Sequence, residues 1–185
     1  MDELQPEQQL QKADAKKKVA LVIGAGDAIG GEIAKRFARG GYIACMTRRN
    51  AEKLQPLIAE IEAEGGIAYG FASDARKEEQ VITLVEEIEA NIGEIDVLVF
   101  NIGANVPCSI LEETARKYFK IWEMACFGAF LTGREVAKRM VVREHGSIIF
   151  TGATAGIRGA ANFAAFAGAK HALRALAQSM ARELG

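Results

Sequence analysis

A chain of 185 residues, half of them hydrophobic and a quarter charged, suits one globular domain with a buried core. Its 23 Lys and Arg nearly cancel its 24 Asp and Glu, so no net field draws the chain to nucleic acid or an anionic membrane. Cys45, Cys108 and Cys126 stand far apart with no CxxC pair, and the histidines do not cluster, so a reducing, cytoplasmic setting is expected and a metal site is not.

Residues 1–17 are polar and begin acidic, which reads as a solvated, disordered tail rather than a secretory signal. The apolar run "VALVIG" (Val19 to Gly24) suits a strand buried on both faces. "AIGGEIAKRFARGG" follows as a helix with Ile29, Ile33 and Phe37 at helical spacing. "YIACMT" predicts strand two. "AEKLQPLIAEIEAEGG" predicts a helix with Leu54, Leu57, Ile58 and Ile61 inward and Pro56 in its first turn. "IAYGFAS" reads as strand three, and "KEEQVITLVEEIEANIG" as a helix burying Val81, Leu84, Val85 and Ile88. "IDVLVF" reads as a short apolar strand four. The stretch from about Glu112 to Val142 should be largely helical, "GSIIFT" should be strand five, and a long helix should run from about Asn162 to Leu184. Such alternation predicts one doubly wound parallel α/β sheet of about five strands, with helices on both faces.

"GAGDAIGG" lies between the first strand and the first helix, where an open α/β sheet binds its ligand. Gly24 permits a tight turn, Gly26 lets backbone approach a pyrophosphate, and Gly30 permits close helix packing. The helix N-terminus adds N–H groups and partial positive charge. At the end of strand two stands "TRRN" rather than an acidic residue; Arg48 and Arg49 suit a ribose 2′-phosphate, which favours NADP(H) over NAD(H).

With the glycine turn, "SDA" after strand three, "NIGA" after strand four and the aromatic-xxx-Lys of the last helix, the sequence resembles the short-chain dehydrogenase/reductase family from about Lys18 to Gly185. The resemblance implies a Rossmann-like NADP-binding domain over 18–185. It implies cofactor contacts at Gly24, Gly26, Asp27, Ile29, Gly30, Arg48, Arg49, Asp74, Ala75, Asn101, Gly103 and Lys170. Asp74 matches the residue that meets the adenine amino group, Asn101 the one that steadies the central strand, and Lys170 the ribose-binding lysine. Three family groups are missing: Phe166 stands at the catalytic tyrosine, Ala153 at the serine and Ala125 at the asparagine. Thr154 is the first candidate stand-in, ahead of Thr151, Ser109 and Tyr118; His171 and His145 are read as surface or helix-end residues.

Two functions are consistent with this pattern. One is an NADP(H)-linked oxidoreductase with an altered proton-transfer site, acting on a small or medium apolar carbonyl, alcohol or activated alkene. The other is a nucleotide-binding sensor or scaffold without turnover. The family continues beyond a helix such as "MARELG" into further strands and a substrate loop, so the resemblance implies a C-terminally shortened chain. It also implies a homo-oligomer through the two long helices, with no nucleic-acid or membrane partner.

Overall fold

The protein, represented by a computed structural model, is described over residues 18–185; the polar tail expected at 1–17 lies outside the described residues. Its sheet comprises β1 (Lys18–Ile23), β2 (Ile43–Arg48), β3 (Ile67–Ala72), β4 (Glu94–Phe100) and β5 (Ser147–Phe150). Every pairing is parallel, in the order β3-β2-β1-β4-β5. The helices are α1 (Ile29–Arg39), α2 (Gln55–Ala63), α3 (Glu78–Asn91), α4 (Ala115–Trp122), α5 (Gly128–Val142) and α6 (Ala164–Leu184).

The central strands alternate sides residue by residue, as the pleat requires. Val19, Leu21 and Ile23 pack with Leu84, Val85 and Ile88 of α3, Val136 of α5 and Leu173 of α6. Ala20 and Val22 face the other way, onto Ala34 and Ala38 of α1 and Leu54 and Ile61 at α2. Both faces of β1 are therefore dry, which is why its sequence is an unbroken apolar run. The sheet winds one way from β1 to β3 and the other way from β1 to β5. Between β1 and β4 the two windings part and leave a crevice at the strands' C-terminal ends.

Three local expectations change. Ile29 does not join the core; it is 63% exposed, because Gly30, Gly31, Ala34 and Ala38 form the buried face of α1. The long helical stretch is interrupted by a π-helical turn at Glu123–Phe127, between α4 and α5. The last helix starts at Ala164, since Asn162 adopts a left-handed φ of 67° that a helix cannot contain.

The apolar run of β4 is also broken, by Asp96, buried near the entrance of the strand. Its carboxylate accepts from Tyr42 Oη at 3.0 Å and Lys18 Nζ at 3.4 Å, and His145 Nε2 lies 2.6 Å away. Burial opposes its ionisation, but the hydrogen bonds from Tyr42 and Lys18 outweigh that and hold the carboxyl below its usual range. A depressed folded pKa means stabilisation that is complete above about pH 4 and lost as pH falls through the folded value. Asp96→Ala should therefore cost about 2 kcal/mol or more at neutral pH and flatten the acid limb of stability, as read by denaturant unfolding at several pH values.

Candidate active site

The chain leaves β1 through Gly24, whose φ of 85° lies in the left-handed region that glycine enters without steric cost. A Cβ there would come within 2.8 Å of Ile102 Cγ1. Across the crevice Asn101 ties the two strand ends together. Its backbone N–H donates to the Ile23 carbonyl at 2.9 Å, and its side-chain amide to the Gly24 carbonyl at 3.4 Å. Helix α1 begins with Ala28 at its N-cap, which offers no side-chain acceptor. Its first turn thus presents a partial positive charge to a cavity lined by the Gly26–Gly30 turn.

On one side of this turn lies a cavity of about 560 Å³, lined by Arg48, Arg49, Lys53, Asp74, Ala75 and Arg76 among others. Cations dominate its wall. Arg48 Nη1 donates to Asp27 Oδ1 at 3.0 Å and to the Lys53 carbonyl at 3.2 Å, so the guanidinium is already oriented along the cavity edge. The Asp74 carboxylate lines this cavity and accepts from Arg76, whose Nε donates at 2.9 Å. That hydrogen bond, with Arg49 adding to it through space, pulls the Asp74 carboxyl below its usual range despite partial burial. Arg76 also reaches Glu123 Oε2 at 3.3 Å, linking this cavity to the π turn.

On the other side a cavity of about 350 Å³ brings Ile29, Asn101, Gly103, Ala153, Phe166 and Lys170 together. Lys170 does not snorkel to solvent: it is 5% exposed. Its ammonium donates to the Thr151 carbonyl at 2.7 Å and the Ile102 carbonyl at 3.3 Å, both at the ends of strands that flank the crevice. Burial lowers its pKa below the usual lysine value. Phe166, one turn earlier on α6, lines the same cavity and offers no proton. Ala125 is fully buried against Ala165 and Ala169, and takes no part in the cavity wall.

The family model for short chain dehydrogenases matches residues 18–185. This chain belongs to that family. It is 32% identical over 171 residues to the 2-dehydro-3-deoxy-D-gluconate 5-dehydrogenase of Formosa agariphila, covering 92% of this chain but 65% of that protein. Among solved structures, a short-chain dehydrogenase from Rhodopseudomonas palustris is 53% identical, with a TM-score of 0.87 over 90% of this chain and 78% of that one. An NAD+-bound xylitol dehydrogenase shares 30% identity and a TM-score of 0.87, over 90% of this chain and 65% of that one. An actinorhodin polyketide ketoreductase variant solved with NADPH shares 29% and 0.87, over 91% and 65%.

Within this chain, the stand-ins separate by position. Thr154 opens a short 3-10 turn and lines a second cavity of about 350 Å³ that shares Asn105, Ala153 and Phe166 with the first. Thr151 lines the crevice and lends its carbonyl to Lys170. Ser109 caps a loop turn by accepting from the Leu111 N–H, and Tyr118 packs over Gly168 of α6; neither lines the two cavities at Phe166. His171 is exposed and turned back to the Ala167 carbonyl. Sequence reading missed Lys53, Arg76, Asn105 and Arg158. Only the loop position of Asn105, two residues beyond Gly103, could have pointed to any of them.

Proposed function

We propose that this protein is an NADP(H)-dependent oxidoreductase with an altered proton-transfer site, acting on a small or medium apolar carbonyl compound, alcohol or activated alkene. The observation that supports it most is Lys170, a buried ammonium fixed at the crevice by two backbone carbonyls, beside a phenyl ring in place of an acid. The residues present fit a dinucleotide. The glycine turn would admit a pyrophosphate, Arg48 and Arg49 would meet a 2′-phosphate, and Lys170 would hold ribose hydroxyls. When bound, the nicotinamide supplies or accepts a hydride. The side chains do the rest: Phe166 and Ala153 exclude water and leave the crevice apolar, and Thr154 and Asn105 are the neutral hydrogen-bonding groups beside them. With Phe166 aprotic, the proton that completes a reduction comes from the Thr154 hydroxyl, which regains it from solvent on its exposed side. Such a site favours reduction at carbon, where no side-chain acid has to protonate an alkoxide.

Asp27 opposes the 2′-phosphate assignment in part, since its carboxylate shares Arg48 with that phosphate. Arg48→Ala with Arg49→Ala should weaken NADPH binding about ten- to a hundredfold and leave NADH nearly unchanged. Asp27→Asn should strengthen NADPH binding. Calorimetric titration with both nucleotides reads these differences, and equal affinities in the unaltered protein would refute the preference. Steady-state assays across ketones, enones and imines test the activity itself. Nucleotide binding with no turnover in any class would replace the enzyme by a sensor or scaffold.

A further inference from the structure

The cavity beyond Phe166 carries a group that the proposed hydride chemistry does not use. Its wall is built from alanine side chains and the rings of Phe163 and Phe166, and its polar groups are Asn105, Thr154 and Arg158. Arg158 is the one charged residue among those lining it. Among the described residues its guanidinium makes no hydrogen bond or ion pair. By contrast Arg76, Arg134 and Arg143 each hold a carboxylate. The backbone places Arg158 firmly: its N–H donates to the Thr154 carbonyl at 3.1 Å, so its Cα is fixed relative to Ala153 and the crevice. The guanidiniums of Arg36, Arg49, Arg116 and Arg174 also lack a hydrogen-bond or ion-pair partner among the described residues, but of these unpaired cations Arg158 alone lines this cavity, which adjoins the Lys170 crevice.

We infer that Arg158 binds the carboxylate of the substrate, so that the substrate class is a compact apolar oxo acid, or the corresponding hydroxy or unsaturated acid. This rests on the proposed oxidoreductase reading and narrows it. A planar guanidinium grips a carboxylate through two parallel hydrogen bonds. A single cation matches a monoanion, and a doubly charged phosphate would be left half neutralised. The cavity, at about 350 Å³, has the volume of a small-ligand site. The apolar body of the acid lies against the alanine wall and Phe163. The reacting carbon then falls toward the part of the wall shared with the Lys170 cavity, formed by Asn105, Ala153 and Phe166.

The test is equilibrium binding of two matched pairs, benzoylformate and its methyl ester, and 4-methyl-2-oxopentanoate and its methyl ester. It is run with and without NADP+. At least one acid should bind about tenfold or more tightly than its ester. Arg158→Gln should erase that advantage and Arg158→Lys should keep part of it, with NADP+ affinity and thermal unfolding unchanged because the residue is exposed. Esters binding as well as acids, an acid preference that survives Arg158→Gln, or no binding of either acid would overturn the assignment. Failure of NADP+ to bind bears on the cofactor reading alone, since the acid preference is then read on the nucleotide-free protein.

Discussion

Phe166→Tyr combined with Ala153→Ser should raise NADPH-dependent reduction of a simple ketone by about a hundredfold or more in kcat/KM. A positioned general acid contributes on the order of 10²–10⁴ in rate, and a donor aimed at a developing oxyanion about 10²–10³. The two act as a unit, so the gain of the double variant should exceed the product of the two single-variant gains. The geometry favours the gain. Both positions line one cavity with Lys170, whose ammonium is held in place and whose pKa burial already lowers. Neither change touches the sheet core. Ala125→Asn is excluded from the design, since Ala125 is fully buried against Ala165 and Ala169 and a larger polar group there would strain that contact. Rates that stay at the unaltered level would show that the pocket has been reshaped around the aprotic ring.

Gly30→Ala should abolish nucleotide binding and destabilise the fold by about 1–3 kcal/mol or more. A Cβ at that position would collide with the Gly24 carbonyl oxygen, lie 2.9 Å from Ala25 Cα and come within 3.0 Å of Asn101 Nδ2. The first two are backbone atoms of the turn itself, so relief requires α1 to move away from the β1–β4 seam. Gly26→Ala provides the contrast. Nothing lies within 4 Å of a Cβ there, so thermal stability should hold. If its lack of a side chain serves a pyrophosphate, NADPH affinity should nevertheless fall about tenfold or more. Calorimetric melting beside nucleotide titration separates the two effects. A Gly26→Ala protein that binds NADPH normally would remove the pyrophosphate from that turn.

What was legible in the residue order was whatever repeats locally. The four inward residues of α3, Val81, Leu84, Val85 and Ile88, are buried as the 3.6-residue period requires, and the unbroken run Val19–Ile23 marks a doubly covered strand. The crevice was legible because glycine spacing, a strand before it and a helix after it constrain one another. Hidden from such reading were contacts between distant segments. Asp96 meets Tyr42, Lys18 and His145, and nothing near any of them in sequence announces the others. The same holds for Arg48 with Asp27, and for Arg76 with Glu123. The π turn escaped notice because it adds one residue to a helical register that otherwise continues.

The two sides of the crevice are built differently. One side is the ends of β1 and β4 with the turn into α1, where backbone hydrogen bonds and a dry interior leave little slack. The other is the segment from Gly103 to Thr114 together with the approach to α6, joined to each other where the Cys108 N–H donates to the Asn162 carbonyl at 2.8 Å. On the proposed function, replacements along that second rim would retune which molecules are admitted while the unfolding free energy hardly changes. Selection has a soft lip to work on and a hard floor to leave alone.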